Sequence, residues 1–330
     1  MKHRPLQSSS AHRATSAAAL SEDPGWPLVS VVIPTYNRAA YIGDAISSVL
    51  AQDYHPVEII VADDGSTDDT ADIVARFGGA VTYLSLPHRG QPAATRNAAV
   101  AAARGEYVAF LDSDDLFLSG RLAGQVAALT EHPEAGLAYS NGYFFRDDPE
   151  TPVGRVLDGL PTPSGQSLPD LLRGNFLSTP VVLIRRTCLD SVGVFDERPD
   201  LLSEDYDLWL RIAAEFPIIY VPGDVAAIRR HGQSISRDVA ALRAGSLRVL
   251  AKLETTHPHL VDQYRAAFNE GYARNHGAVA LAHLKQWQIR RGLSHAMRAL
   301  RYSLRTPGFG VRPLLQWIRR RRVRGSAAVP

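Results

Sequence analysis

The strongest constraint on the fold is an alternation of apolar runs and helical spacing between Leu28 and Asp115. Four short runs rich in Val, Ile and Leu read as buried strands: LVSVVIP (28–34), VEIIVAD (57–63), VTYLSL (81–86) and EYVAFLD (106–112). Between the first two, Tyr41, Ile42, Ala45, Ile46, Val49 and Leu50 recur at helical spacing. Between the next two, a short helix buries Ile73, Val74 and Phe77. Asp69 is placed to cap it and Gly78–Gly79 to stop it. PAATRNAAVAAAR (92–104) has Pro at its start and Gly105 just past its end, the punctuation of a third helix. Such alternation predicts parallel βαβ units, right-handed, with helices on both faces of an α/β sheet. Ligands of these sheets sit outside the carboxyl ends of the strands. Three polar clusters fall there: PTYNR (34–38), ADDGSTDD (62–69) and DSDD (112–115).

Further on the signals are mixed. A helix is predicted over 120–131 and a strand over AGLAYSNGYFF. A long loop rich in Pro, Gly and Asp follows over 147–170, of the kind that often carries function. STPVVLIRR (178–186) reads as a strand, SEDYDLWLRIAAEF (203–216) as a helix capped by Ser203, and 217–231 as one or two short strands. From about residue 240 every signal is helical.

Bulk properties narrow the class. The 330 residues suffice for a sizeable core, and 45% apolar with 21% charged residues is ordinary for a globular protein. A single cysteine, Cys188, excludes an internal disulfide framework and a cysteine-based zinc site, and fits a reducing, cytoplasmic setting. No stretch reaches the roughly 20 apolar residues of a membrane span. Residues 1–27 lack an apolar signal-peptide core and read as a disordered tail. The net charge of +2 conceals an asymmetry: after Glu270 there are thirteen Lys or Arg and no acid, so residues 1–270 hold 23 basic and 34 acidic side chains.

The three clusters invite specific chemistry. In an extended segment Asp112 and Asp114 share a face while Ser113 points back. Two such carboxylates with phosphate oxygens and water suit Mg²⁺ or Mn²⁺, which use few protein ligands; a solvated turn capping the next helix is the plainer alternative. In ADDGSTDDT, Gly65 permits a tight turn and Ser66, Thr67 and Asp69 suit a turn and cap, but that does not account for Asp63 and Asp64 together. An aspartate there can accept from a base or ribose. Tyr36 either stacks on a base or packs on the helix that follows.

In this order and spacing, VSVVIPTYNRAAYIGDAISSVLAQ, VEIIVADDGSTDDT, RGQPAATRNAAVAAARGEYVAFLDSDD, SEDYDLWLR and IRRHGQSIS resemble inverting family-2-type glycosyltransferases of the GT-A fold, over about residues 28–236. The resemblance implies a Rossmann-like mixed α/β sheet over 28–236 and a helical, basic extension over 237–330. It implies a nucleotide pocket lined by Pro34, Thr35, Tyr36 and Asn37, with Tyr36 against the base of a nucleoside-diphosphate sugar and Asp64 on the base edge. Asp112 and Ser113 lie toward the ribose, Asp112 and Asp114 toward a Mg²⁺ or Mn²⁺ ion on the diphosphate, and Arg96 and Asn97 help order the pocket. Residues 85–91, with Arg89 and Gly90, form a loop near the phosphates. Asp205 is the implied general base, with Glu204 in support; the dipole of their helix favours the ionised form. Trp209 and Leu210 read as core. His231, with Arg229 or Arg230, closes over the diphosphate, His231 also as a metal ligand. Processive relatives carry Gln-x-x-Arg-Trp after the base. Residues 205–211 read DYDLWLR, which points to transfer of a single sugar to a hydroxyl of a glycan or lipid-linked saccharide. A sugar nucleotidyltransferase would need a Gly-rich, Lys-containing loop where PTYNRAAYI stands; a non-catalytic sugar-nucleotide-binding protein would not need the intact acids.

In the basic C-terminus, Leu293, Met297, Leu300 and Leu304 share a helix face and are expected to pack on the catalytic domain. VRPLLQWIRRRRVRG, with Trp317 and Arg319–Arg324, is expected to touch an anionic membrane at its inner face. Nucleic acid is disfavoured, since neither a binding motif nor an interleaved aromatic series accompanies the charge.

Overall fold

Period-two alternation in the first strand divides its side chains between two cores. The computed structural model describes residues 25–230 and 238–306. Its elements, in order, are β1 (Val29–Thr35), α1 (Ile42–Leu50), β2 (Val57–Asp63), α2 (Thr70–Ala75), β3 (Val81–Ser85), α3 (Pro92–Ala102), β4 (Tyr107–Phe110), β5 (Leu116–Phe117), α4 (Arg121–Glu131), β6 (Leu137–Phe145), β7 (Gly154–Arg155), α5 (Leu168–Arg173), β8 (Val182–Arg185), α6 (Arg186–Val192), α7 (Glu204–Glu215), β9 (Ile218–Arg229), α8 (Val239–Thr256), α9 (Pro258–Gln263), α10 (Arg265–Lys285) and α11 (Ile289–Leu304). Val31 and Ile33 of β1 face a core closed by Ile42 and Ile46 of α1 and Leu122 and Leu129 of α4. Val32 faces the other way, into a larger core with Phe110, Leu171, Trp209 and Phe268.

The strands form one mixed sheet in the order β3-β2-β1-β4-β8-β6-β9-β5, with β7 paired to β6. The first four are parallel, as the alternation predicts. β8 is antiparallel to β4 and to β6, β9 runs parallel to β6, and β5 is antiparallel to β9. The single strand β9 replaces the one or two short strands read in 217–231. The 147–170 loop contains β7 and the start of α5, and is pinned by Tyr139 Oη–H donating to the Pro163 carbonyl and by a bridge from Gly165 to Ile218.

The C-terminal helices extend the larger core: Val249, Leu250 and Leu253 of α8 and Phe268 and Tyr272 of α10 belong to it. Gly271 lets α10 approach α5 so closely that a Cβ there would collide with the Leu172 carbonyl. α11 lies on α10 through buried Gly292, a Tyr272–Tyr302 ring stack at 4.6 Å and His276 against His295. The expected packing of the Leu293–Leu304 face is corrected here. α11 turns its small and aromatic residues to α10, and Leu293, Met297, Leu300 and Leu304 are 54%, 67%, 59% and 78% exposed. Among the described residues no helix is long and apolar enough to cross a membrane. Arg319–Arg324 and the tail up to residue 24 lie outside the described residues.

Gly271→Ala is expected to lower stability by about 2–3 kcal/mol in urea unfolding, as overpacking does. Gly277→Ala, with no atom within 4 Å of the added carbon, is expected to be neutral or stabilising by up to ~1 kcal/mol from helix propensity alone.

Candidate functional site

The three polar clusters share one sheet edge because β2, β1 and β4 are adjacent and parallel. Thr35 pairs with Asp63, and Val32 with Phe110. The first two clusters are stitched together. Asp63 Oδ1 accepts from the amide and hydroxyl of Ser66 (2.8 and 2.7 Å), and its Oδ2 accepts from Tyr83 Oη–H at 2.6 Å. Ser66 Oγ in turn accepts the Asn37 amide at 2.8 Å, and Asn37 Oδ1 accepts the Thr67 amide. This register holds Asn37 at φ 50°. The cap of α2 is a correction: Asp69 makes no side-chain cap bond. Asp68, one residue earlier, accepts from the amide and hydroxyl of Thr70 and from the amide of Ala39, because it can reach both loops.

Asp64 is buried, and its two oxygens accept the amides of Arg89 and Gly90 at 2.8 Å each. It therefore fixes the 85–91 loop. Gly65 at φ 76° is required there, since a Cβ would lie 3.0 Å from the His88 nitrogen. Tyr36 is exposed and stacks on the His88 ring at 4.2 Å. Pro34 is partly buried, and the buried Thr35 Oγ1 has no hydrogen-bond partner. A cavity of about 320 Å³ opens between Asp64, Leu86, Arg89, Thr95 and Glu197.

DSDD forms a turn, closed by the Asp115 amide donating to the Asp112 carbonyl, where an extended segment was expected. The chain must reverse there to reach β5. Alternation survives nonetheless: Asp112 and Asp114 are partly exposed, while Ser113 and Asp115 are buried. Asp115 accepts the Arg229 amide at 2.8 Å, and burial followed by repulsion from Asp112 and Asp114 raises its pKa well above the usual range. Arg229 Nε donates to the Asp114 carbonyl, and its guanidinium lies over Tyr41 and Phe145. Arg38 Nε stands 3.7 Å from Asp114.

Arg96 is the hub. Its guanidinium is buried and donates from Nη2 to Asp112 Oδ1 and from Nη1 to Glu204 Oε1, both at 2.9 Å. Burial disfavours its charge, but Asp112 and Glu204 outweigh that and raise its pKa. Its terminal nitrogens thus tie β4's end to the head of α7. Asn97 beside it fixes the 195–197 segment through both backbone groups of Phe195 and through Glu197.

At the head of α7, Ser203 makes no cap bond, a second correction: its hydroxyl donates to the Leu242 carbonyl of α8, which lies within reach at 3.1 Å. Asp205 is partly buried, with Oδ1 accepting the Tyr206 amide at 2.7 Å. Its pKa is pushed up to about 7, first by burial and then by Glu204, against lowering by the Tyr206 amide and Arg96. The expected dominance of the helix dipole is therefore overturned by desolvation and a neighbouring carboxylate. Trp209 and Leu210 are fully buried in the core.

Asp112, Asp114, Glu204 and Asp205 thus converge around Arg96 and the turn, with Asp64, Tyr36 and Thr35 along the same edge. His231 lies outside the described residues. Among those described, no three His, Cys, Asp or Glu side chains converge as a metal cage. Asp112 and Asp114 offer only hard carboxylate oxygens on the open side of the turn, a donor set that fits Mg²⁺ or Mn²⁺ completed by diphosphate and water. Sequence reasoning missed the roles of Arg38 and Asp115, and Arg229, expected to close over the diphosphate, instead holds the backbone and side chain of the 112–115 turn. The third acid of DSDD, at the fourth position of a run whose alternate members face outward, was the available signal for Asp115.

The sequence profile of "Glycosyl transferase family 2" matches residues 30–188. The chain is 33% identical to the UDP-Glc:alpha-D-GlcNAc-diphosphoundecaprenol beta-1,3-glucosyltransferase WfaP of Escherichia coli, over 57% of this chain and 71% of that protein. It is 28% identical to an uncharacterized glycosyltransferase of Rickettsia typhi, over 90% and 98%. Its fold is similar to that of the mannosyltransferase PcManGT of Pyrobaculum calidifontis, solved with GDP-Man and Mn²⁺: TM-score 0.59, 19% identity, 84% of this chain and 87% of that one.

Asp205 supplies a stability signature independent of turnover. Its folded pKa of about 7 exceeds its unfolded value of 3.8. The folded state therefore holds this proton more tightly, and stability is lost as pH rises from about 4 through about 7. Asp205→Asn removes the titration. Urea unfolding is expected to show the variant gaining on the parent across that window, by ~1–3 kcal/mol, with a constant gap above pH 8; a gap independent of pH would contradict the raised pKa.

Proposed function

The chain belongs to glycosyltransferase family 2, and we propose that it moves one sugar from a nucleoside-diphosphate sugar to a hydroxyl of a lipid-linked saccharide, in a single inverting step with Asp205 as base. The observation that carries this reading is the Arg96 bridge, which brings the acid of α7 to the turn after β4. Tyr36 offers its exposed ring to the base, with Asp64 and the 320 Å³ cavity beside it. Thr35 Oγ1, buried without a partner, suits a ribose hydroxyl, and Pro34, Asn37 and Ser113 shape the floor.

Asp112 and Asp114 would hold a Mg²⁺ or Mn²⁺ ion, which when bound neutralises charge on the departing diphosphate. The acceptor oxygen attacks the anomeric carbon from the face opposite the diphosphate. The new C–O bond forms as the bond to the diphosphate breaks, and the hydroxyl proton passes to Asp205. A carboxylate is far less basic than an alkoxide, so transfer accompanies attack. A base with a pKa of about 7 accepts that proton better than an ordinary aspartate while still being about half ionised at neutral pH. Glu204 is held by Arg96 and keeps Asp205 raised. The lack of a Gln-x-x-Arg-Trp sequence supports one transfer per acceptor. WfaP's acceptor, a saccharide on diphosphoundecaprenol, supports a lipid-linked acceptor in cell-envelope polysaccharide synthesis at the inner membrane face. Arg319–Arg324 would add contact with that face, and His231 would close over the diphosphate.

Release of nucleoside diphosphate from a panel of nucleotide sugars, with and without Mn²⁺, tests the assignment. Asp205→Asn is expected to lower kcat by about 10²–10⁴-fold with donor binding retained; turnover at the parent rate refutes Asp205 as base. The parent's kcat is expected to fall on the acid side of about pH 7, because protonated Asp205 accepts nothing. Asp114→Ala is expected to abolish the Mn²⁺-dependent part of donor affinity, measured by titration calorimetry with and without the ion.

A further inference from the structure

We propose that α11 is a docking surface for an anionic phospholipid bilayer, with its apolar stripe in the acyl boundary and its arginine flank among the lipid phosphates. Ile289, Leu293, Met297, Leu300 and Leu304 recur every three or four residues and form one stripe, each 46% exposed or more. Trp287, just before the helix, is 85% exposed. Such a row of large apolar side chains on one helix needs a cover.

The adjacent flank decides which cover. Arg290, Arg291, Arg298, Arg301 and Arg305 follow at helical spacing beside the stripe, all exposed, and none forms an ion pair with a carboxylate among the described residues. At the start of the helix, His283, Arg290, Arg291, Ser294, His295 and Arg298 line a hollow of about 450 Å³ with no acidic group in its wall. That is a receptor for phosphate oxygens, set at headgroup level beside residues made for the acyl boundary. A second copy paired through the same helix face would bring the same five arginines against these. Residues 307–330 of the chain itself carry Arg312, Arg319–Arg322 and Arg324 and would also meet like charge. An anionic leaflet alone is complementary to both the stripe and the flank. This surface is separate from the Asp112–Asp205 cluster, and the proposal stands whether or not the sugar-transfer mechanism does.

Cys188 is buried, so Met297→Cys creates the one exposed thiol among the described residues, and an environment-sensitive fluorophore there reports on α11 itself. With phosphatidylcholine vesicles containing phosphatidylglycerol, the full chain is expected to sediment with lipid and the fluorophore to brighten and shift to the blue; pure phosphatidylcholine is expected to give little of either. In the unlabelled chain, Leu293→Asp with Leu300→Asp is expected to weaken vesicle binding at least about tenfold, with the circular dichroism spectrum unchanged. Replacing Arg319–Arg322 by Gln is expected to preserve the blue shift. Sedimentation without a fluorophore response would mean that the last residues alone bind lipid, a concentration-dependent response without vesicles would mean that a second copy covers the stripe, and no sedimentation would mean no membrane docking. Each of these overturns the proposal.

Discussion

The arrangement of the acidic strand-end edge depends on one buried guanidinium. Arg96 joins Asp112 and Glu204, residues 16 and 108 positions away in sequence, at 2.9 Å each. Without a cation between them, Asp112, Glu204 and Asp205 would be like charges sharing a poorly hydrated space, and the turn after β4 and the head of α7 would repel. With it, the two elements become one unit. A buried charge is stabilising only when its hydrogen bonds are satisfied, and Arg96 comes close: both terminal nitrogens are engaged, Nε is the buried atom left over, and Phe195 lies 5.6 Å from the guanidinium carbon. The clamp also divides the labour of two adjacent acids. Glu204 takes the ion pair, and Asp205 keeps a proton affinity near neutrality.

The many acids on this edge then sort by what their oxygens already hold. Asp63 and Asp68 are consumed in turns that lock the β1 and β2 loops together. Asp64 anchors the 85–91 loop, and Asp115 receives the end of β9. Asp112 and Asp114 stay partly open to solvent and Asp205 stays accessible beside them. Rigid acids of the first kind allow the second kind to be placed with little freedom, so that a site made largely of loops behaves as though it stood on regular structure.

The strand-end clusters and their common edge were legible in the sequence because period-two alternation and helix punctuation are local signals, and parallel βαβ winding follows from them. Asp205 was reachable only through the resemblance, and its elevated pKa was not reachable at all. A helix N-terminus argues locally for ionisation, while the desolvation that wins comes from residues distant in sequence. Arg96 is a similar case. Within PAATRNAAVAAAR nothing separates a surface arginine from one that is buried between two carboxylates. Arg121 was read only as part of a helix, yet it is fully buried, donating to the carbonyls of Pro180 and Val182 over the Phe117 ring. α11 misled in the opposite way. Its apolar stripe is the signature of a packed helix, but Gly292 and Tyr302 show that the other face packs.

The C-terminal helices are part of the frame that holds α7. The head of α7 is held at three points by two helices. Ser203 Oγ–H donates to Leu242 of α8, Tyr206 Oη–H donates to Leu171 of α5, and Lys252 of α8 pairs with Asp207 at 2.7 Å. α5 in turn is pressed by α10 at Gly271, where no side chain fits, and α10 carries α11. A continuous line of close packing therefore runs from α11 through α10 and α5 to the residue after Asp205. Packed interiors transmit position with little slack. Whatever orients α11 is therefore coupled through that packing to the head of α7, where the proposed base Asp205 sits. For the proposed acceptor, a saccharide that hangs from a lipid, a surface that fixes the enzyme against the bilayer would also fix the height at which the proposed base meets the incoming hydroxyl.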